Sequence, residues 1–179
     1  HQMLPSLLLY ILALGYTPAP SNLCAFHSGI HFGRRNAMRI WWGFLGGFAV
    51  IDTAILLITH YLGDFLGQYA KWLAYAGALY MVCLAVMIII RSGKPKDEMA
   101  KSCTFWTGFV IELTNAKVWM FCFTALSTFV LPYSSSLVEL AKVAVMLVLA
   151  GPVANLVWLV AGSWLNSLTE KYGRLIDII

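Results

Sequence analysis

Of the chain's 179 residues, 60% are hydrophobic and 11% charged, whereas about a quarter of a soluble domain is charged. Apolar runs of membrane-spanning length, roughly 20 residues, follow one another along most of it, which excludes a water-soluble domain and describes one polytopic transmembrane domain over 1–179. A formal charge of +4 would suit nucleic acid, but the basic residues lie in short loops between spans, where a membrane surface accounts for them and no nucleic-acid partner is needed.

The first span, 4–30, lacks the basic leader and small-residue cleavage site of a signal peptide and reads as retained. It is interrupted by Thr17-Pro18-Ala19-Pro20-Ser21-Asn22. Two prolines two residues apart remove backbone donors and clash with the preceding turn, so the helix must kink or break there. Irregular backbone at membrane depth is tolerated where it faces protein or a wet cavity, which makes Pro18, Pro20 and Asn22 candidate walls of a binding site. The alternative is a packing kink healed by Thr17 and Ser21. His27, one turn beyond Asn22, has the chemistry of a proton shuttle, although a lone histidine near a helix end is more often simply hydrogen-bonded.

The second span, 39–62, carries Gly43, Gly46 and Gly47, which permit close helix approach, and then Asp52. The third covers 69–91. The fourth, 105–131, contains Glu112 and a polar interruption, Thr114-Asn115-Ala116-Lys117, and the fifth, 137–165, has Gly151 and Ala154 as small packing residues. Tyr172–Ile179 reads as the first turns of a sixth helix cut short, and the chain starts His1-Gln2-Met3 without an initiator at position 1. The expected fold is therefore an all-α membrane protein, a six-helix transmembrane bundle. The first and fourth spans run in opposite directions and are interrupted at similar depth, which suggests two inverted three-helix repeats, 1–91 and 105–179, with a site between them.

Asp52, Glu112 and Lys117 lie within spans, where a charge costs roughly 2.5–3.5 kcal/mol on insertion scales. A carboxyl at that depth can exist protonated and uncharged, so Asp52 and Glu112 are the candidate proton-coupling residues. The alternative is an internal ion pair of Lys117 with one of them that merely orders the bundle. Cys24, Cys83, Cys103 and Cys122 have neither disulfide-framework nor metal-site spacing, so no metal or other cofactor is expected.

Arg34, Arg35 and Arg39 follow the first span, Arg91, Lys94, Lys96 and Lys101 the third, and Lys171 and Arg174 the fifth. The opposite side has Lys71 and Lys142. By the positive-inside rule the richer side is cytoplasmic and the N-terminus is outside.

These residues resemble the lysine exporter (LysE/RhtB) family of bacterial amino-acid and amino-acid-derivative exporters from the first span through the fifth. Pro18-Ala19-Pro20-Ser21-Asn22 is similar to the family's Pro-Gly-Pro-Asn-like motif, and Ser28 to Arg35 to its Gly-containing basic loop. Gly43 to Asp52 matches a Gly-rich stretch ending in an acidic residue, and Gly108 with Asn115-Ala116-Lys117 matches Gly followed by Asn-Pro-Lys. Ala19 stands for the usual glycine, Ala116 for the usual proline, and Glu112 adds a charge.

The resemblance implies a secondary transporter, not an enzyme, exporting a small amino acid or derivative across the bacterial inner membrane, driven by the membrane potential and protons through alternating access. Asn22 and Asn115 would bind the substrate's polar ends beside the break held open by Pro18 and Pro20. Lys117 would hold the substrate carboxylate or a bundle carboxylate. Partners are the substrate, protons and the lipid bilayer, and homo-oligomerisation stays open. Two other classes were weighed: a membrane thiol/disulfide electron carrier using Cys24 and Cys122, and a heavy-metal cation exporter, for which the clustered soft ligands are lacking.

Overall fold

The computed structural model describes residues 3–91 and 103–176, and among these all regular structure is helical. Helix α1 (Met3–Gly15) ends at the interruption expected within the first span, and α2 (Pro20–Arg91) begins on the second proline of that motif. Proline suits this first helical position, because its missing N–H would have had no intrahelical partner there. The fourth span is likewise divided, into α3 (Phe105–Leu113) and α4 (Ala116–Phe129), bent by 60°. Helix α5 (Leu137–Ile176) completes the set.

Six transmembrane helices were expected, and the described residues form five helical stretches, of which α2 joins two helices across a kink at Gly33. Helix α2 runs through 63–68, where a loop between the second and third spans was expected, and its one non-helical residue is Gly33 (φ 68°, ψ 165°), a conformation that suits glycine. Helix α5 runs through 166–171 into the segment read as the start of a sixth helix. Neither stretch contains proline, the residue that most strongly ends a helix, although 63–68 holds two glycines, Gly63 and Gly67. By length and apolarity two helical stretches, Pro20–Gly63 and Leu137–Thr169, are long enough to cross a membrane, and the bent pair α3–α4 makes a third. The basic loop at 92–102 and residues 177–179 lie outside the described residues.

Small residues set the packing. A methyl group on Gly29 would meet the Leu159 carbonyl and one on Gly162 that of Phe26, so α2 and α5 touch backbone to backbone; Gly43 and Gly108 do the same between α2 and α3. One apolar cluster joins α1, α2, α4 and α5 through Leu7, Phe48, Ile51, Phe121, Leu126 and Leu147. A second joins α2 to α5 through Ile40, Phe44 and Leu159. Leu9, Leu12, Trp72, Leu79, Leu149 and Trp164 turn outward. Apolar surface so extensive belongs against lipid.

Candidate functional site

The two helix breaks meet. Asn115, in the second, donates from Nδ2 to Ser21 Oγ beside the first (3.0 Å), and Lys117 Nζ donates to Thr17 Oγ1 (2.7 Å) and to the Thr17 carbonyl (3.0 Å). Each break leaves carbonyls without helical donors, and in hydrocarbon each unmet group costs several kcal/mol. At the first, Asn22 Nδ2 donates to the carbonyls of Gly15 (3.0 Å) and Thr17 (2.8 Å), Trp158 Nε1 to that of Tyr16 (3.2 Å), and Thr17 Oγ1 to that of Leu14 (2.7 Å). At the second, Asn115 caps α4 by accepting from the Lys117 amide (3.2 Å), while Trp119 Nε1 donates to the Leu113 carbonyl (2.9 Å). The chain thus breaks without a proline at 116, because the Asn115 side chain offers the next turn a partner.

Between the breaks lies a cavity with about 30 Å³ of room for the centre of a water molecule, enough for roughly two waters. Gly15, Ala19, Ser21 and Asn22 contribute from the first break, Glu112, Asn115 and Lys117 from the second, Asn155 and Gly151 from α5, and Phe48, Val118 and Phe121 form the apolar walls. Glu112 is 1% exposed and within hydrogen-bonding reach of Ser21 and Asn155. These contacts leave its Oε2 without a partner, and Asn22 Oδ1 is equally unpartnered. Among the described residues no carboxylate lies within ion-pair distance of Lys117, so the alternative of a structural ion pair is not what holds it: the lysine rests on Thr17.

Of the residues singled out in the sequence, Asn22, Glu112, Asn115 and Lys117 share this cavity. The prolines do not line it: Pro18 is exposed, and Pro20 starts α2. Asp52 is buried one turn beyond Phe48, outside the cavity lining, and its Oδ1 has no hydrogen-bond partner. His27 packs against His31, with ring centroids 4.1 Å apart, and is not part of the lining.

A family model described as LysE type translocator matches residues 12–175. The chain belongs to that family. Similar proteins include the cysteine/O-acetylserine efflux proteins of Escherichia coli (strain K12) and Shigella sonnei (strain Ss046), each 33% identical over 99% of this chain and 93% of the relative. The protein of the same name from Shigella flexneri is 33% identical over 95% of this chain and 87% of its own. These relatives are named as efflux proteins, not enzymes. No solved structure matches.

The resemblance seen in the sequence is thus a membership, and this LysE type translocator is a multi-pass membrane protein. One polar residue of the cavity and one glycine packed against its carboxyl had roles that the sequence did not reveal. Asn155 is a lone polar residue three positions past Pro152 in an otherwise apolar stretch, a signal of the same kind that picked out Asn115. Gly47 reads as packing, yet a Cβ there would stand 2.7 Å from Glu112 Cβ, so its smallness makes room for the buried carboxyl.

Proposed function

We propose that this translocator exports a small amino acid or amino-acid derivative of the cysteine and O-acetylserine class from the cytoplasm, in exchange for protons, across the bacterial inner membrane. The observation that carries the reading is the cavity where the two broken helices meet, with a buried cation, a buried carboxyl and three asparagines around it. A lysine has three donors, and Thr17 takes two of them. The third is free for a substrate carboxylate. Asn115 and Asn22 place amide dipoles beside it, and Phe48 and Phe121 leave an apolar wall for a short side chain. Helix breaks flanking a polar site near the middle of the bundle are the usual transporter arrangement, and the halves 1–91 and 105–179 supply one break each.

At roughly two waters, the cavity is too small for an amino acid, so this is a contracted state and transport requires its walls to part. Asp52 and Glu112 are the buried carboxyls available to carry the coupling proton. The charge pattern favours an external N-terminus, with Arg34, Arg35 and Arg39 on the cytoplasmic side. The deciding experiment is counterflow in proteoliposomes. Vesicles preloaded with unlabelled L-cysteine, kept reduced, should accumulate labelled L-cysteine and O-acetyl-L-serine, and a proton gradient alone should drive uphill movement. Vesicles that accumulate neither label overturn the export reading. Accumulation that ignores the proton gradient overturns the coupling.

A further inference from the structure

We infer that Glu112 Oε2 and Asn22 Oδ1 together form the binding site for the substrate's α-ammonium group, and that a proton and the ammonium compete for Glu112. The inference rests on the export reading and specifies how its site works. Both atoms are buried acceptors without a partner, and both belong to residues lining one cavity. A buried polar atom left unmet costs about 1–3 kcal/mol, more for a charged one, so two in one cavity mark a place built for a donor that comes and goes. An ammonium carries three donors and no acceptor, which suits a cavity whose lining residues hold two unpartnered oxygens. Asn22 cannot turn its amide around to satisfy itself, because Nδ2 is fixed on the Gly15 and Thr17 carbonyls.

The groups facing Glu112 are few. Ser21 and Asn155 are its polar neighbours in the cavity, Lys117 is the cation beside it, and the thiols of Cys24 and Cys122 are the other titratable groups near it. Glycine at 47 brings α2 against its Cβ without adding a charge. With the carboxyl ionised, a zwitterion fits with its ammonium on Glu112 and Asn22 and its carboxylate on Lys117. With the carboxyl protonated, Oε2 has no negative charge to offer, and the ammonium is released. One proton then enters for each zwitterion that leaves, and no bond beyond the O–H is made or broken. What separates the two carboxyls is place: Asp52 also has an unpartnered oxygen, but it lies outside the cavity lining, where the substrate's ammonium does not reach it.

The test is equilibrium binding to the purified full chain in lipid nanodiscs, with reduced L-cysteine as probe and N-acetyl-L-cysteine, which has no ammonium, as its control. Wild-type affinity for L-cysteine should fall as the pH drops, approaching about tenfold per pH unit below the carboxyl's titration. Glu112→Gln should bind L-cysteine more weakly with no such slope, and Glu112→Asp, which still titrates, should restore the slope. N-acetyl-L-cysteine should show no loss of affinity on acidification. A slope that persists in Glu112→Gln, or one of equal size for N-acetyl-L-cysteine, overturns the inference while leaving export standing. A slope missing from both the wild type and Glu112→Asp also overturns it. If the wild type binds no amino acid at any pH, the export reading fails, and this inference fails with it.

Discussion

Lys117 directs two of its donors at Thr17, and in the proposed site the third serves the substrate, so its charge and its attachment can be separated by substitution. In Lys117→Gln an uncharged donor remains. L-cysteine binding should weaken by about 10- to 100-fold, in line with the 1.5–3 kcal/mol of a hydrogen bond to a charged group, whereas binding of cysteamine, which lacks the carboxylate, should change little. Titration calorimetry on both ligands checks this, and equal losses would place Lys117 away from the carboxylate. Gly47 is the second residue whose size matters. In Gly47→Ala the new methyl would stand 2.7 Å from Glu112 Cβ and 3.0 Å from the Phe109 carbonyl, so α2 or α3 must shift. Overpacking of this kind costs about 1–3 kcal/mol, and a thermal-shift assay should find the variant less stable.

The helix breaks behave as elements in their own right, each with its own set of donors. Removing the cap in Asn115→Ala should cost about 0.5–2 kcal/mol through the lost bond to the Lys117 amide, and the bond to Ser21 goes with it. Asn115→Asp keeps a capping oxygen and should recover most of the stability by the same assay. Both breaks were legible in the sequence, the first from Pro18 and Pro20 and the second from Thr114 to Lys117, because each disturbs an otherwise apolar run. What heals them was not legible. Trp158 and Trp119 donate to carbonyls 142 and 6 residues away, and such contacts leave no periodic trace. The role given to the prolines shows the same limit: composition locates the break but says nothing about which atoms face inward. Hydropathy reports where lipid could be and not where hydrogen bonding stops, so the ends of the spans within α2 and α5 were not legible from it.

At the scale of the whole molecule, the length of α2 is the feature that the bilayer must accommodate. Residues 34–91 rise about 87 Å as helix, against about 30 Å of hydrocarbon, so in a membrane this segment must bend, turn or extend beyond it. Gly63 and Gly67 lie where the charge pattern places a turn between two spans. With that turn, the basic residues at 91–101 return to the side of Arg34 and Arg35, and a reporter fused within 92–104 should be active as a cytoplasmic reporter. An external signal there would reverse the orientation argued from the basic residues.

The tight closure between the breaks has a consequence for the cell's electrical insulation. A membrane holding a wet polar thread from face to face would dissipate the gradient that drives export. If the proposed contracted state seals the bundle, its polar centre, with room for roughly two waters beside Phe48 and Phe121 and a lysine in its wall, is too small a thread to conduct ions. Vesicles carrying the protein without substrate should therefore hold an imposed potassium diffusion potential as long as protein-free vesicles do. Shortening the barrier in Phe121→Ala should make them lose it faster.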